Sequence, residues 1–168
     1  IDNEDLISAL KQYEPEFLDQ FRHIMAGKIG LEEYRHDDEQ LINQLLELVQ
    51  INNVDYSILF RALSAFSDDN QSIRDQFVDR EGFDVWAEKY STRLAQQNLT
   101  DQQRQQSMNA LNPKYVLRNY IAQAAIDAAK QGDYSEVHLM LNVLQSPFEE
   151  HPPAEKYAGL PPNWADQL

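Results

Sequence analysis

Hydrophobic residues recur at intervals of three and four along most of this chain, which is the spacing of amphipathic α-helices. No segment alternates between hydrophobic and polar residues as a half-buried strand does, and no fixed-period repeat is visible. The predicted fold class is therefore all-α, an irregular bundle of about seven to nine helices. The predicted helices cover approximately residues 6–10, 14–25, 41–49, 58–66, 72–77, 81–97, 101–111, 112–132 and 135–145.

Residues with known helix-end preferences set several of these boundaries. Glu14-Pro15-Glu16 separates the first two helices, because proline is best tolerated in the first turn of a helix. Asn112 is a favourable N-cap, Pro113 suits the first helical position, and Gly132 can adopt the left-handed conformation that ends a helix. We therefore expect residues 112–132 to form one continuous helix. It is nearly apolar around its circumference and should be buried or covered.

Proline content rises after the last predicted helix. Five of the seven prolines lie within residues 147–162, and proline cannot continue a helix. We predict that residues 146–168 form an extended Pro-rich tail, packed on a single helical domain that comprises residues 1–168. Tyr157 and Trp164 are the expected anchors of this tail.

Charge and composition argue against several functions. The chain has 14 basic and 28 acidic residues and a net charge of −14, which repels nucleic-acid phosphates and anionic membranes. No apolar run approaches the roughly 18 residues of a membrane span. Without cysteine, these residues form no disulfide and no thiolate metal site. We expect a cytoplasmic protein that binds neither nucleic acid nor membrane.

Common catalytic signatures are absent from the sequence. The five glycines are scattered, so no glycine-rich loop can bring several backbone amides onto a phosphate. The kinase motifs His-Arg-Asp and Asp-Phe-Gly do not occur, and the four histidines lack the spacing of zinc ligands. We predict no catalytic, cofactor-binding or metal-ligating residue in this chain. An independent helical hydrolase has little support, because no nucleophile and base can be paired.

A set of motifs gives the chain a family resemblance. Residues 112–120 read NPKYVLRNY, residues 131–134 read QGDY and residues 157–165 read YAGLPPNWA. With LFRALS at 59–64 and DREGFDVW at 79–86, they resemble the C-terminal region of the selenoprotein O family. The resemblance runs in consistent order over approximately residues 20–168. Its signature residues are Asn112, Pro113, Tyr115, Asn119, Tyr120 and Trp164.

The resemblance implies a longer protein with a pseudokinase fold that acts as a protein adenylyltransferase. Such a protein would use ATP with Mg²⁺ or Mn²⁺ and transfer AMP to Ser, Thr or Tyr hydroxyls of substrate proteins. The family's catalytic residues lie upstream in a kinase-like core, so none can be assigned here. This chain alone is expected to be inactive and to give that core structural or regulatory support. The alternative is a helical protein-interaction module that recruits substrates or partners through the exposed side of the predicted 112–132 helix.

One charge pattern remains to be interpreted. No acidic residue occurs within residues 102–126, yet Arg104, Lys114 and Arg118 lie there. In the predicted helix, Lys114 would occupy the first turn, where a cation is unfavourable, and Arg118 would share its face. Their partners should therefore be distant in sequence. We favour carboxylates of other helices or of the kinase-like core as these partners, and the alternative is an anion site at the helix N-terminus.

Overall fold

The computed structural model describes residues 2–167, so Ile1 and Leu168, the ends of the predicted domain and tail, lie outside the described residues. Residues 2–167 contain eight α-helices, two short 3-10 helices and no strand, which confirms the all-α prediction. The α-helices are α1 (Asn3–Lys28), α2 (Asp38–Asn52), α3 (Tyr56–Leu63), α4 (Gln71–Arg74), α5 (Arg80–Leu94), α6 (Asp101–Leu111), α7 (Asn119–Lys130) and α8 (Ser135–Gln145).

Helix α1 replaces the two separate helices predicted for this part of the chain. It runs unbroken through Pro15 for 26 residues. A proline inside a helix removes one hydrogen bond, to the carbonyl four residues earlier. Here that carbonyl belongs to Lys11, which is exposed, so water can replace the missing donor. Pro15 therefore marks no boundary.

The larger of two hydrophobic cores, called the first core, is built from side chains within residues 25–108, from the end of α1 into α6. It comprises eighteen buried hydrophobic residues. Trp86 and Tyr90 lie four residues apart on the inward face of α5 and stack at 4.8 Å between ring centroids. The indole Nε1 of Trp86 donates to the Leu41 carbonyl at 3.0 Å, and the Tyr90 hydroxyl donates to the Ile29 carbonyl at 2.6 Å. Both rings are thus buried without leaving these polar atoms unpaired.

A buried ion pair joins α2 to α5 beside this core. The Arg93 guanidinium donates to both carboxylate oxygens of Asp38, at 2.6 and 3.0 Å. It also donates to the Glu33 carbonyl at 3.0 Å. No local sequence pattern predicts this pair, because 55 residues separate the two side chains.

The prediction of one continuous helix over residues 112–132 is wrong. Helix α6 ends at Leu111 and α7 begins at Asn119. Asn112 has φ −111° and ψ 104°, the extended backbone that a following proline favours. Asn112 is therefore the C-cap of α6 and not the N-cap of a longer helix.

Hydrogen bonds from other parts of the chain hold this segment out of the helix. The amides of Lys114 and Tyr115 both donate to the Pro147 carbonyl, at 2.9 and 3.2 Å. The side-chain amide of Asn112 donates to the Lys28 carbonyl at 2.8 Å. Contacts with the tail and with α1 therefore override the local helix signals.

The smaller, second core lies between the α7–α8 hairpin and the Pro-rich tail. Gly132, at φ +86°, closes α7 as the sequence predicts. The tail contains two 3-10 helices that the sequence did not reveal, Pro152–Tyr157 and Asn163–Gln167. Trp164 contacts the Tyr120 ring edge-on at 6.0 Å. The buried residues of the second core are Tyr115, Tyr120, Ile121, Met140, Val143 and Ala154.

Candidate functional site

Lys114 and Arg118, the cations singled out in the sequence, lie in the connecting segment between the two cores. They do not share a helical face, because residues 113–118 are not helical. The Lys114 ammonium contacts two tail carboxylates, donating to Glu150 and, at 2.7 Å, to Glu155. Its nearest anions thus come from the tail and not from a neighbouring turn.

We call the contacts around this connecting segment the junction between the two cores. Arg118 makes its second ion pair. Its guanidinium donates two hydrogen bonds to the Asp55 carboxylate, at 2.6 and 2.9 Å. Asp55 also accepts from the Ile58 amide at 3.0 Å, which caps α3. The pair therefore fixes the start of α7 to the start of α3, and both side chains are mostly buried.

Arg61 of α3 completes the junction. Its Nη1 donates to the carbonyls of Asn109 and Asn112, both at 3.1 Å, and its Nη2 donates to Glu150 at 3.2 Å. One guanidinium thus binds the end of α6 and the tail together. No sequence pattern predicted this role, although Arg61 lies in the LFRALS motif at residues 59–64.

The pKa values of the junction follow from these contacts. Burial would lower the pKa of Lys114, but its hydrogen bonds to Glu150 and Glu155 outweigh burial and raise that pKa. The hydrogen bond from Lys114 lowers the pKa of Glu150. Burial would raise the pKa of Asp55, but hydrogen bonds from Arg118 and from the Ile58 amide lower it. All three groups are therefore held in their charged forms at neutral pH.

Arg104 is the third cation of residues 102–126, the segment without acidic residues. It lies inside the first core. Its guanidinium donates to the carbonyls of Leu63 and Phe66 and, at 3.1 Å, to the Asp101 carboxylate. These groups cap the end of α3 and the turn that follows. Arg104 is therefore a structural residue of the core.

The family-signature residues all lie at or near this junction. Asn112 caps α6, Pro113 follows it, and Asn119 begins α7. The Tyr115 hydroxyl donates to the His151 carbonyl and accepts from the His151 amide, both at 3.2 Å. Tyr120 and Trp164 pack together as described above. Most of the signature residues therefore lie where the second core joins the first.

One pair of residues needs a chemical test, because a serine and a histidine approach each other. Ser146 Oγ lies 3.0 Å from His151 Nε2, but the same nitrogen lies 3.0 Å from the Ser146 carbonyl. If Nε2 carries the proton and donates to that carbonyl, it cannot also accept a proton from Oγ. A nucleophile also needs a base that a third group orients, and the structure gives the other ring nitrogen no such partner among residues 2–167. The pair closes a turn.

The described residues offer no grouping for a metal or a membrane. Among the side chains that the structure describes, no three from His, Asp or Glu are placed to hold a metal ion. In the same range, no helix has the length and apolarity that crossing a bilayer requires. The arrangement at Lys114, Arg118 and Arg61 pairs cations with carboxylates across the junction. Binding of an external anion, or of a kinase-like core, by Lys114 or Arg118 stays a prediction.

Comparisons with known proteins address the family directly. The family model described as "Protein adenylyltransferase SelO" matches residues 1–145. A relative from Pseudomonas fluorescens strain Pf0-1, named "Protein nucleotidyltransferase YdiU", is 46% identical over 168 residues. The match covers 98% of this chain and 34% of that relative.

Two further relatives carry the same name. One from Herminiimonas arsenicoxydans is 42% identical, covering 99% of this chain and 34% of the relative. One from Myxococcus xanthus strain DK1622 is 42% identical, covering all of this chain and 35% of the relative. The chain thus spans about one-third of the length of the relatives it matches. Because the family model covers most of the chain, this protein belongs to the SelO family of protein nucleotidyltransferases.

Proposed function

We propose that this chain is the helical C-terminal part of a longer protein adenylyltransferase and gives its kinase-like core structural or regulatory support. In the whole protein, AMP from ATP would pass to Ser, Thr or Tyr hydroxyls of substrate proteins, with Mg²⁺ or Mn²⁺ as the metal. The observation that carries the proposal is the family match over residues 1–145. The cytoplasmic location expected from the sequence stays a prediction.

The residues of this chain do not fit a nucleotide–metal site. The described side chains include no carboxylate or histidine cluster for a divalent ion. Of the five glycines, Gly82 lies at a helix start, but its amide is already bound by Asp79 at 2.9 Å. We therefore assign no step of nucleotidyl transfer to this chain. The catalytic groups would come from the remaining two-thirds of the protein.

The test joins this chain to the upstream part of the Pseudomonas fluorescens relative and follows label transfer to protein. We expect label from α-³²P-ATP on substrate protein with the joined protein and none with the 168-residue chain alone. Label from γ-³²P-ATP would indicate phosphoryl transfer and contradict the proposal. Label from α-³²P-UTP but not from ATP would retain nucleotidyl transfer and reject adenylyl transfer. EDTA, followed by Mg²⁺ or Mn²⁺, tests the metal requirement.

A second candidate function, recruitment of protein partners, is favoured by one observation. Several large apolar side chains of the connecting segment, α7 and α8 are exposed, and such residues at helical spacing suit a partner helix. Leu141→Glu should then reduce binding of substrate protein to the joined protein without unfolding it, because Leu141 is exposed. Unchanged substrate binding would reject this role. The exposed residues are Leu117, Ile126, Val137, Leu141 and Leu144.

A further inference from the structure

The first five turns of α1 carry an apolar side that nothing in the structure covers. Every residue from Asp2 to Phe21 whose burial is described is exposed. The helix reaches the first core only near its end, through Met25, Ala26 and Ile29. The large apolar residues of the uncovered part are Leu6, Ile7, Leu10, Tyr13, Phe17, Leu18, Phe21 and Ile24, each between 36% and 71% exposed.

These residues form one continuous surface. At about 100° per residue, Leu6, Leu10, Tyr13 and Phe17 fall on the same side of the helix. The rings of Tyr13 and Phe17 stack at 5.9 Å between centroids, and those of Phe17 and Phe21 at 6.2 Å. The three rings thus make a row along the helix, and each of them is exposed.

Such a surface is unfavourable in water. Each large side chain gains roughly 1.5–3 kcal/mol when it is fully buried. Most of the stability of a helix in a protein comes from the packing of its apolar face, and Pro15 removes one hydrogen bond of α1. The sequence nevertheless keeps a broad apolar face over five turns, which is the pattern of a helix that packs on something.

Charge argues against a second copy of this chain as the covering partner. Residues 3–22 contain five acidic and two basic residues, and the whole chain carries a net charge of −14. Pairing two such helices would bring like charges together. The relatives matched by this chain are about three times as long, so a large part of the parent protein is available to cover α1.

We propose that the apolar side of α1, centred on Leu10, Tyr13 and Phe17, is the docking surface for the upstream part of the longer parent protein. This inference rests on the proposed function in assuming that parent, and it moves the main contact away from Lys114 and Arg118. Those two cations are already paired inside this chain. The contact would be hydrophobic and insensitive to salt.

Hydrogen–deuterium exchange compares α1 in the 168-residue chain and in the joined protein described above. We expect amides of residues 6–21 to exchange at least about 100-fold more slowly in the joined protein, because docking blocks local opening. The double change Leu10→Glu and Phe17→Glu should abolish this protection. Val78→Glu is the matched control, since Val78 is 88% exposed and distant in sequence from α1.

Three outcomes would overturn the proposal. Equal exchange of α1 in both proteins would mean that the upstream part does not cover it. Loss of protection by Val78→Glu would remove the specificity of the α1 surface. A protected α1 in the 168-residue chain, with a dimer mass by light scattering that the double change abolishes, would identify a second copy as the occupant.

Two controls keep the docking surface and the proposed function separate. Nucleotidyl transfer is measured on the same joined protein: protection without transfer supports docking and rejects the function, and transfer without protection does the reverse. If circular dichroism indicates that the joined protein is unfolded, exchange is measured on the full-length Pseudomonas fluorescens relative. Fast exchange in its segment aligned with residues 6–21 then counts against the proposal.

Discussion

The two cores of this molecule are stabilised in different ways. The first core, within residues 25–108, buries eighteen hydrophobic side chains, whereas the second buries six. Charged side chains link the second to the first, through Arg118 with Asp55 and Arg61 with Glu150. We infer that packing stabilises the first region and that the junction charges set much of the stability of the second, residues 113–167.

The two tryptophans provide the largest contrast between the regions. Trp86 is 1% exposed and Trp164 is 47% exposed. Trp86→Ala should lower the free energy of unfolding by about 3–5 kcal/mol, because it leaves a cavity in the first core. Trp164→Ala should cost less than about 1 kcal/mol. Urea unfolding followed by circular dichroism measures both, and equal losses would contradict the difference in packing.

Alanine substitution of two glycines with positive φ distinguishes the free-energy cost of backbone strain from that of overpacking. Gly30 has φ +75° and Gly132 has φ +86°. A Cβ on Gly30 would approach Arg104 Cγ and Met108 Sδ at 2.7 Å, whereas one on Gly132 meets nothing within 4 Å. Gly132→Ala should therefore cost only the left-handed strain, about 1–2 kcal/mol, and Gly30→Ala about 2–4 kcal/mol, since overpacking is added.

Thermal unfolding of the two glycine variants checks this prediction. Gly159→Ala is the control, because its Cβ meets no atom within 4 Å and its φ is not positive. We expect that change to be neutral or slightly stabilising. Equal melting temperatures for the Gly30 and Gly132 variants would mean that Arg104 and Met108 adjust without cost.

Removal of Arg118 tests the junction. Arg118→Ala should lower the free energy of unfolding by about 1–2 kcal/mol, since it leaves the mostly buried Asp55 carboxylate without its cation. The residual hydrogen bond from the Ile58 amide limits the loss. Trp164 fluorescence in a Trp86→Phe background reports the second region. The control is Lys130→Ala, an exposed cation at the C-terminal end of α7. A loss of less than about 0.5 kcal/mol for Arg118→Ala would reject this role.

Acid should affect the junction before the first core. The pKa values of Asp55 and Glu150 are lowered in the folded protein. A carboxyl of this kind stabilises the fold above its ordinary pKa, about 4, and that contribution is lost as pH falls through the folded pKa. Below about pH 4 we expect the Trp164 signal to change before the Trp86 signal. Identical pH profiles for Arg118→Ala and the unaltered chain would contradict the prediction.

The sequence predicted what depends on local patterns and missed what depends on distant partners. The approximate spans of α5 and α6 and the end of α7 at Gly132 were all predicted, because caps and periodicity act within a few residues. The break at residues 112–118 was not. Its helix signals are genuine, but the competing acceptor is the Pro147 carbonyl, more than thirty residues away.

For the candidate site too, local sequence patterns indicated some residues, and only the fold revealed their partners. Residues 102–126, which contain no acidic residue, drew attention to Lys114 and Arg118, because a cation without local acid needs a remote partner. Which carboxylates those are, and the part played by Arg61, required the fold. The uncovered side of α1 was also hidden, since Pro15 suggested two short helices in place of one long one.

The Pro147 carbonyl, which accepts two amides from the connecting segment, has a consequence for shorter versions of the chain. A protein that ends before Pro147 would release the amides of Lys114 and Tyr115 and would also lose Glu150 and Glu155. The N-cap preference of Asn112 and the helix-compatible φ of Pro113 would then be opposed by fewer contacts, the hydrogen bonds of Asn112 with Lys28 and Arg61 and the Arg118–Asp55 pair. Truncation would thereby shift the bent connection towards a continuous helix, and a hinge that straightens in this way favours exchange of α7 and α8 between two molecules.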